Sequence, residues 1–472
     1  MDDAENRRNF LKKGTAATVG TFGLSSATAG AQEARPEVDA PPPQQAPGPF
    51  DEYSRTRSSY GGPPDSDRFF GKLVPGRRGS DQPPVPFEMP DVVTLPWRMV
   101  DGVKEYRIVC EHVRRELLPG YWMDLWGYNG SVPGPTIEAN QGDRVRLIVE
   151  NRLPEPTTVH WHGLELPIQY DGPPHLVQDP IEPGGTFVYE FDLHQAGTFF
   201  YHSHIAMQEA IGMVGYFIIH PARAFDPPVD RDIGLIFQNY FIPPNQTVPN
   251  TMAMEWNWHT INGRSGPYST PIVVRHGDRV RLRILDFSPM QHHPIHLHGH
   301  TFWITGREGA RIPTSAWQAR NTELIAVAQA TDLEFVANNP GDWLLHCHMV
   351  HHMMNHMVKQ VGPRIRDGVD VTRYFGSPDD RPRPVLSRSA AAQVDPGYPQ
   401  MMMGMEMTDA QMHAITNRRE TLGMRKGWPR ALAGLMTVVR VLPDDLFDRV
   451  MHSDEDIPPG SIFDELVRRT SS

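Results

Sequence analysis

Alternating apolar and polar residues run through the middle of the chain and predict β-strands there. Tyr106 to Val113 alternates in this way, and so does Gly142 to Val149, which follows a turn. The second segment is closely copied at Gly277 to Ile284. A repeated strand pattern indicates that one β-unit has been duplicated. We therefore predict an all-β fold with two related domains, residues 99–225 and 226–366.

Different patterns follow the second domain, in residues 367–472. A run of methionines extends from Met401 to Met407, and thioethers are soft ligands that suit Cu(I) or pack flexibly. A capping box at Thr408 to Gln411 predicts a helix after this run. Arg430 to Leu442 and Ser461 to Arg469 predict two further helices, so we expect a helical, Met-containing extension.

Composition supports many short strands joined by turns, because 46 Pro and 40 Gly occur among 472 residues. The net charge of −11 argues against nucleic acid as a partner. The chain has two cysteines. If Cys347 binds metal, Cys110 has no partner within the chain and is predicted to be a buried small apolar residue, with an intermolecular bridge as the alternative.

Histidine pairs of the form His-x-His are the strongest chemical signal. Four pairs occur in strand-like sequence: His160/His162, His202/His204, His296/His298 and His346/His348. Alternate residues of a strand point to the same face, so both imidazoles of a pair converge on one side. Eight imidazoles suit a cluster of transition metals.

A second metal site is predicted behind the last pair. Cys347 lies between His346 and His348, and alternation sends its thiolate to the opposite face of the strand. His293, His352 and Met357 complete one thiolate, two imidazoles and one thioether, which is the ligand set of a blue-copper centre.

These segments resemble the four copper-binding motifs of the multicopper oxidases, which include laccases and cuprous oxidases. The matching segments are His160 to Gly163, Gly197 to His204, His293 to His300 and Gly341 to Met357. The resemblance implies four coppers per subunit. It assigns type 2 copper to His160 and His296, the type 3 pair to His162, His202, His204, His298, His346 and His348, and type 1 copper to His293, Cys347, His352 and axial Met357.

The spacing of the motifs indicates two cupredoxin domains. Three-domain laccases have an extra domain between the second and third motifs, whereas only 89 positions separate His204 from His293 here. By resemblance to two-domain laccases, the second domain of one subunit meets the first domain of its neighbour. This implies a homotrimer whose trinuclear clusters are shared between subunits.

The resemblance also implies the reaction. An electron from a phenol, an aromatic amine or Cu(I) enters near a partly exposed edge of His293 and passes along Cys347 to the cluster, where dioxygen is reduced to water. Asp171 stands where the family has an acidic residue near the cluster and is our candidate for proton delivery. The alternative for Asp171 is a turn-forming Asp-Gly pair.

Two other functions compete with this interpretation. One is copper sequestration with little turnover. The other is nitrite reduction by a two-domain copper enzyme, which resembles this architecture but keeps its blue copper in the first domain. Ser203 occupies in the first domain the place of Cys347 in the second, and a hydroxyl is no soft ligand, so the sequence disfavours nitrite reduction.

The N-terminal part predicts export and an extended arm. Residues 1–31 resemble a twin-arginine signal peptide, with Arg7 and Arg8 before a weakly apolar stretch. We therefore expect a periplasmic or secreted protein that is exported folded. Residues 32–98 are Pro-rich and predict an arm that wraps a neighbouring subunit or acts as a flexible linker. No other segment is long enough to cross a bilayer, so no membrane partner is expected.

Overall fold

The structure is a computed structural model that describes residues 85–243, 246–355 and 407–471. Ten strands belong to the first part of this range: β1 (Phe87–Glu88), β2 (Trp97–Val100), β3 (Val103–Leu118), β4 (Tyr121–Tyr128), β5 (Gly134–Asn140), β6 (Arg144–Asn151), β7 (Val159–His162), β8 (Thr186–Asp192), β9 (Gly197–Ser203) and β10 (Val214–His220). β2, β3, β6 and β8 form one sheet in that order, with β4 added to β3. β5, β10, β9 and β7 form the facing sheet.

The second domain repeats the two-sheet arrangement. Its strands are β11 (Arg231–Tyr240), β12 (Trp258–Ile261), β13 (Ile272–Arg275), β14 (Arg279–Asp286), β15 (His293–Leu297), β16 (Phe302–Arg307), β17 (Ala310–Arg311), β18 (Gln318–Arg320), β19 (Thr322–Ile325), β20 (Gln329–Val336), β21 (Gly341–Cys347) and β22 (Met436–Leu442). One sheet has the order β1-β11-β14-β20-β16-β17, with β12 on β11 and β18 on β16. The other has the order β13-β22-β21-β15-β19.

Hydrophobic alternation explains the two cores. In β6, every second residue is buried, and Tyr106 and Leu147 pack with Trp161 between the two sheets of the first domain. Ile284 and Leu333 belong to the corresponding core of the second domain. The predicted all-β class is therefore confirmed, and the predicted copy of β6 in the second domain is β14.

β22 corrects the predicted helix at 430–442. Residues Met436–Leu442 are a fully buried strand that pairs parallel with β13 and antiparallel with β21. This run of mostly β-branched residues lies next to the strand that carries Cys347. The second domain therefore takes a strand from beyond residue 366, where the sequence placed its end.

The end of the Pro-rich segment is ordered against its own chain. β1 pairs in parallel with β11, and Phe87 packs with Tyr216, their ring centroids 5.6 Å apart. Phe200 of the first domain and Phe287 of the second join the same apolar cluster. This cluster fixes the two domains against each other.

Short helices follow in the C-terminal part: α1 (Asp409–Thr416), α2 (Asp444–His452) and α3 (Ser461–Ser471). The predicted capping box is confirmed, because the Thr408 hydroxyl accepts a hydrogen bond from Gln411 N and the Gln411 side chain reaches back to Thr408 N. α1 ends at Thr416. Among the described residues, no helix is long and apolar enough to span a membrane. Met401 to Met405 lie outside the described residues.

Candidate metal centres

Four histidines of the first domain converge on one face of its second sheet. His160 and His162 alternate along β7, and His160 lies directly opposite His202 on the neighbouring β9. The ring centroid of His160 is 5.5 Å from that of His162, 5.3 Å from that of His202 and 5.4 Å from that of His204. Ligand nitrogens of His160, His162 and His202 lie within 4.8 Å of one another. We call these four residues the first histidine set.

Backbone carbonyls orient the rings of this set. His160 Nδ1 donates to the carbonyl oxygen of Asp171 at 2.6 Å, and His202 Nδ1 donates to that of Ser203 at 2.7 Å. The Nε2 atoms of both rings are thereby left for a metal. His162 presents Nδ1 instead, at 3.3 Å from His202 Nε2.

The second domain builds a matching group on β15 and β21. His296 and His346 are cross-strand partners, and their ring centroids are 5.6 Å apart. His298 Nε2 approaches His346 Nε2 to 3.1 Å, and the His348 ring lies 5.7 Å from that of His296. We call these four residues the second histidine set.

The second set is oriented in the same manner as the first. His296 Nδ1 donates to the carbonyl oxygen of Asn321 at 2.6 Å, and His346 Nδ1 donates to that of Cys347 at 2.9 Å. Both rings therefore present the lone pair of Nε2 on the outer face of the sheet, where Nε2 of His346 faces that of His298.

The two histidine sets are separate within the chain. Among the described residues, every ring contact and hydrogen bond found between these eight histidines joins members of the same set. His204 and His348 are exposed. Each set is therefore an open group of donors on the surface of its domain.

A third group of donors lies behind β21. Cys347 points into the core, where its Sγ lies 3.3 Å from His352 Nδ1, and His352 Nδ1 lies 3.0 Å from His293 Nδ1. The ligand atoms of all three residues are within 4.8 Å of one another, and all three residues are buried. The sequence-predicted fourth ligand, Met357, lies outside the described residues.

The predicted exposed edge of His293 is wrong, because this side chain is 0% exposed. Its Nε2 atom faces Ser288 Oγ at 2.8 Å and Asp286 Oδ1 at 3.6 Å, and the Phe237 ring packs against its edge. Burial raises the pKa of Asp286 to about 8. A molecule that donates an electron therefore meets a layer of protein before it reaches this imidazole.

Sequence reasoning missed His259, a fourth buried imidazole beside this group. The His259 ring lies 4.6 Å from that of His352, and its Nδ1 atom is 2.9 Å from Asn239 Oδ1. Burial and then the neighbouring imidazoles hold its pKa well below the ordinary value. His259 and Asn239 are isolated polar residues in strand sequence and lie 20 positions apart along the chain. The sequence therefore carries no local pattern that indicates their contact.

Burial keeps His162 and His346 in the form that binds metal. Burial first, and then nearby imidazoles, lower the pKa of His162 and His346 to about 4. These rings are neutral at neutral pH, which leaves a lone pair for coordination. Burial raises the pKa of the Cys347 thiol to about 12, so a bound cation must displace its proton.

The predicted Asp171 lies beside the first histidine set. Its carbonyl oxygen holds His160, and its Oδ1 atom is 3.4 Å from His160 Nδ1. The side chain is 37% exposed, so the carboxylate reaches solvent as well as the set. It ends a single 3-10 turn, Ile168–Tyr170.

Comparison with known proteins agrees with this geometry. Two multicopper oxidase profiles match the chain, one over residues 111–224 and the other over residues 241–365. Laccase-1 from Botryotinia fuckeliana is 32% identical over 226 residues, which cover 45% of this chain and 39% of the relative. A copper resistance protein A homolog from Pseudomonas syringae pv. tomato is 28% identical over 256 residues, which cover 43% of each chain. The chain thus spans about two fifths of the length of these curated relatives.

A solved structure is also similar. The crystal structure of blue copper oxidase from Nitrosomonas europaea is 31% identical, with a TM-score of 0.50, and the alignment covers 54% of this chain and 81% of that chain. Copper, as one type 1, one type 2 and two type 3 ions, is the cofactor that this family implies. The donors fit it, since a buried Cys with two His suits a blue-copper ion and the open imidazole sets suit the others. The two profiles, the similar structure and the donor geometry together establish that this chain belongs to the multicopper oxidase family.

Proposed function

We propose that the protein is a copper-dependent oxidase. It couples one-electron oxidation of phenols, aromatic amines or Cu(I) to the four-electron reduction of dioxygen to water. The observation that carries this proposal is the strand β21, which places Cys347 in one donor group and the adjacent His346 and His348 in another. Bound copper would supply the one-electron redox chemistry, and two covalently linked groups of donors suit storage and transfer of electrons.

The buried group acts as the type 1 site. His293, Cys347 and His352 would hold copper through two Nδ1 atoms and one Sγ, and Met357 is proposed as the fourth ligand. Core packing excludes water and holds the ligands in place. Rigid ligands lower the cost of changing the charge of the site.

The two histidine sets act together as the oxygen-reducing site. His160 and His296 are proposed as the type 2 ligands from the resemblance of their motifs to those of the family, and a backbone carbonyl of its own domain orients each ring. The type 3 ligands are His162, His202, His204, His298, His346 and His348. Asp171 is proposed to carry protons from solvent toward this site, since dioxygen reduction consumes one proton per electron.

Assembly brings the two sets together. Each set is open and is separate from the other within the chain, so a second copy must supply the missing half. Exposed apolar side chains flank both sets: Ile168 (73%) and Met207 (45%) near the first, Leu324 (52%) and Val350 (65%) near the second. We infer a cyclic homotrimer in which the second domain of one subunit covers the first domain of the next.

Oxygen consumption tests the proposed reaction. Copper-loaded protein is expected to consume one dioxygen for every four electrons taken from a phenolic dye or from Cu(I), without release of peroxide. Copper resistance protein A is the name of one relative, which keeps sequestration as the second candidate. Full copper binding without oxygen consumption would favour sequestration. Nitric oxide production from nitrite would revive the nitrite reductase alternative.

Export through the twin-arginine route is proposed from Arg7 and Arg8. We expect replacement of both by Lys to retain the protein in the cytoplasm in a folded form, because this route carries folded proteins. Fractionation of cells that express each form provides the measurement, and unchanged export would contradict the route.

A further inference from the structure

His259 lies beside one imidazole of the buried donor group, that of His352, and is linked to the other through the side-chain amide of Asn239. It is 1% exposed on β12, and its ring inclines by 33° to that of His352 at a centroid distance of 4.6 Å. Its cross-strand partner is Asn239 on β11, whose amide nitrogen is 3.4 Å from Nε2 of His293. His259 thus contacts His352 directly and reaches His293 through the amide of Asn239.

Hydrogen bonds fix the orientation of that amide. His259 Nδ1 is 2.9 Å from Asn239 Oδ1, and an amide oxygen can only accept, so Nδ1 carries the proton. Within the part of the chain that the structure describes, His259 Nε2 is buried and has no hydrogen-bond partner, which is consistent with a neutral ring. The amide nitrogen of Asn239 must then face Gln291 Oε1, at 2.9 Å, and His293.

This orientation matters once a metal occupies the group. His293 directs Nδ1 toward His352, so a bound metal takes Nδ1 and leaves the hydrogen on Nε2. Ser288 Oγ, at 2.8 Å, accepts from that Nε2. The positive end of the Asn239 amide also points at the ring. A positive dipole beside a ligand disfavours the more highly charged oxidised state of a metal relative to the reduced state.

We propose that His259 is a positioning residue that raises the reduction potential of the type 1 site by holding the Asn239 amide with its nitrogen toward His293. The inference rests on the type 1 assignment proposed above. Without His259, the amide can rotate so that Oδ1 accepts from His293 Nε2. That hydrogen bond stabilises the oxidised state, and the site becomes a weaker electron acceptor.

Redox titration of the full-length, copper-loaded protein tests this role. His259→Phe keeps an aromatic ring against His352 but cannot donate to Asn239. We expect the blue absorption to persist, while the ratio of reduced to oxidised type 1 copper at equilibrium with a redox dye falls roughly fivefold, the size of one hydrogen bond. His259→Gln retains a donor and is expected to restore most of the ratio.

Coupling between the two residues separates positioning from general disturbance. Asn239→Leu removes the amide dipole, so it should also lower the ratio, and adding His259→Phe to it should change nothing more. If His259→Phe does not fold, the ratio of reduced to oxidised type 1 copper in Asn239→Leu tests the proposal instead. Replacing the exposed His112 by Phe is the matched control and should leave the ratio unchanged.

The outcomes distinguish this inference from the proposed function. A wild-type protein that binds copper without blue absorption would overturn the type 1 assignment and this inference together. A blue wild-type protein whose ratio is unaffected by Asn239→Leu, or additive effects of the two substitutions, would overturn this inference alone.

Discussion

Single side chains in this protein are placed by the backbone of their own neighbours. His202 and His346 occupy equivalent positions in the two domains, and each donates from Nδ1 to the carbonyl oxygen of the next residue. The residue that follows each histidine therefore provides the carbonyl oxygen that orients the ring. That residue is Ser203 in one domain and Cys347 in the other. The first domain therefore has a hydroxyl where the second domain has its thiol.

Cys347→Ser tests the consequence of that difference. We expect the intense blue absorption to disappear because no thiolate remains, while copper bound by the exposed histidines is retained. Visible spectroscopy and copper analysis provide the measurement. Cys110→Ser is the control, since Cys110 is buried in the core of the first domain and should leave the absorption intact. Persistent blue colour in Cys347→Ser would contradict the ligand assignment.

Asp171→Asn tests proton delivery at the same scale. The carbonyl oxygen of Asp171, not its carboxylate, accepts from His160 at 2.6 Å, so copper content should not change. We expect kcat for oxygen consumption to fall about tenfold to a hundredfold, while anaerobic bleaching of the blue absorption by a phenol is unaffected. The exposed Asp179→Asn in the same loop is the control. An unchanged kcat would show that Asp171 forms the turn and does not deliver protons.

Most residues of the metal centres could be predicted from the sequence because their ligands recur at short, fixed spacings. The structure places eleven of the twelve in three separate donor groups, and the twelfth, Met357, lies outside the described residues. His259 and Asn239 could not be predicted. They reach the buried group through the pairing of β11 with β12, and such a contact leaves no local pattern in the sequence.

At the scale of elements, the equivalent strands β20 and β8 show how burial changes the surroundings of an ion pair. Glu334 on β20 is 0% exposed and bonds to Arg279 and Arg281 of β14, together with Arg311. The corresponding Glu190 on β8 pairs with the equivalent arginines of β6 near the surface. The same ladder of charges is therefore buried in one domain and hydrated in the other.

Glu334→Gln should lower the free energy of unfolding by about 3–5 kcal/mol, because it removes the buried carboxylate charge that Arg279, Arg281 and Arg311 share. Burial alone would raise the pKa of Glu334, but Arg281, Arg311 and Arg279 hold that pKa well below its ordinary value. A depressed folded-state pKa means that the stabilisation is present above the unfolded-state pKa of about 4.3 and is lost as pH falls through the folded value.

Denaturant unfolding at pH 7, 5 and 3 checks this expectation. The difference between wild type and Glu334→Gln should be the same at pH 7 and 5 and should shrink at lower pH. Glu190→Gln is the matched control and should cause a much smaller loss. Equal losses of unfolding free energy in the two variants would show that burial does not determine how strongly these ion pairs stabilise the protein.

β22 is the element that sequence reasoning misread. Its seven residues are mostly apolar and β-branched, and a run this short does not distinguish a buried strand from a helix. The partners that decide the matter, β13 and β21, are distant in sequence. By contrast, the long alternating strands and the capped α1 carry local signals and were predicted.

Val439→Asp tests whether β22 belongs to the second domain. Val439 is 0% exposed between Ile272 and Trp343, so a carboxylate there has no solvent or partner. We expect the free energy of unfolding to fall by more than about 3 kcal/mol, with loss of the blue absorption. Val467→Asp on α3, where the side chain is 44% exposed, is the control. A stable, blue Val439→Asp protein would contradict the role of β22.

At the scale of the whole molecule, the proposed trimer requires contacts at the exposed rims of the histidine sets. Leu324→Arg places a charge beside the second set, and we expect it to convert the trimer into monomers that keep the blue absorption but consume little oxygen. Light scattering and copper analysis give the mass and the metal content. Val188→Arg, also exposed but on the outer sheet of the first domain, should remain trimeric. A fully active Leu324→Arg monomer would contradict shared clusters.

The position of β22 also orders events during translation. The strand that carries Cys347 emerges from the ribosome about ninety residues before the strand that must lie between it and β13. The second sheet is therefore finished only when the C-terminal part has been made, whereas the first domain can fold much earlier. A polypeptide released prematurely lacks the wall that closes the thiolate site. Loading of that site thus reports that synthesis has passed β22.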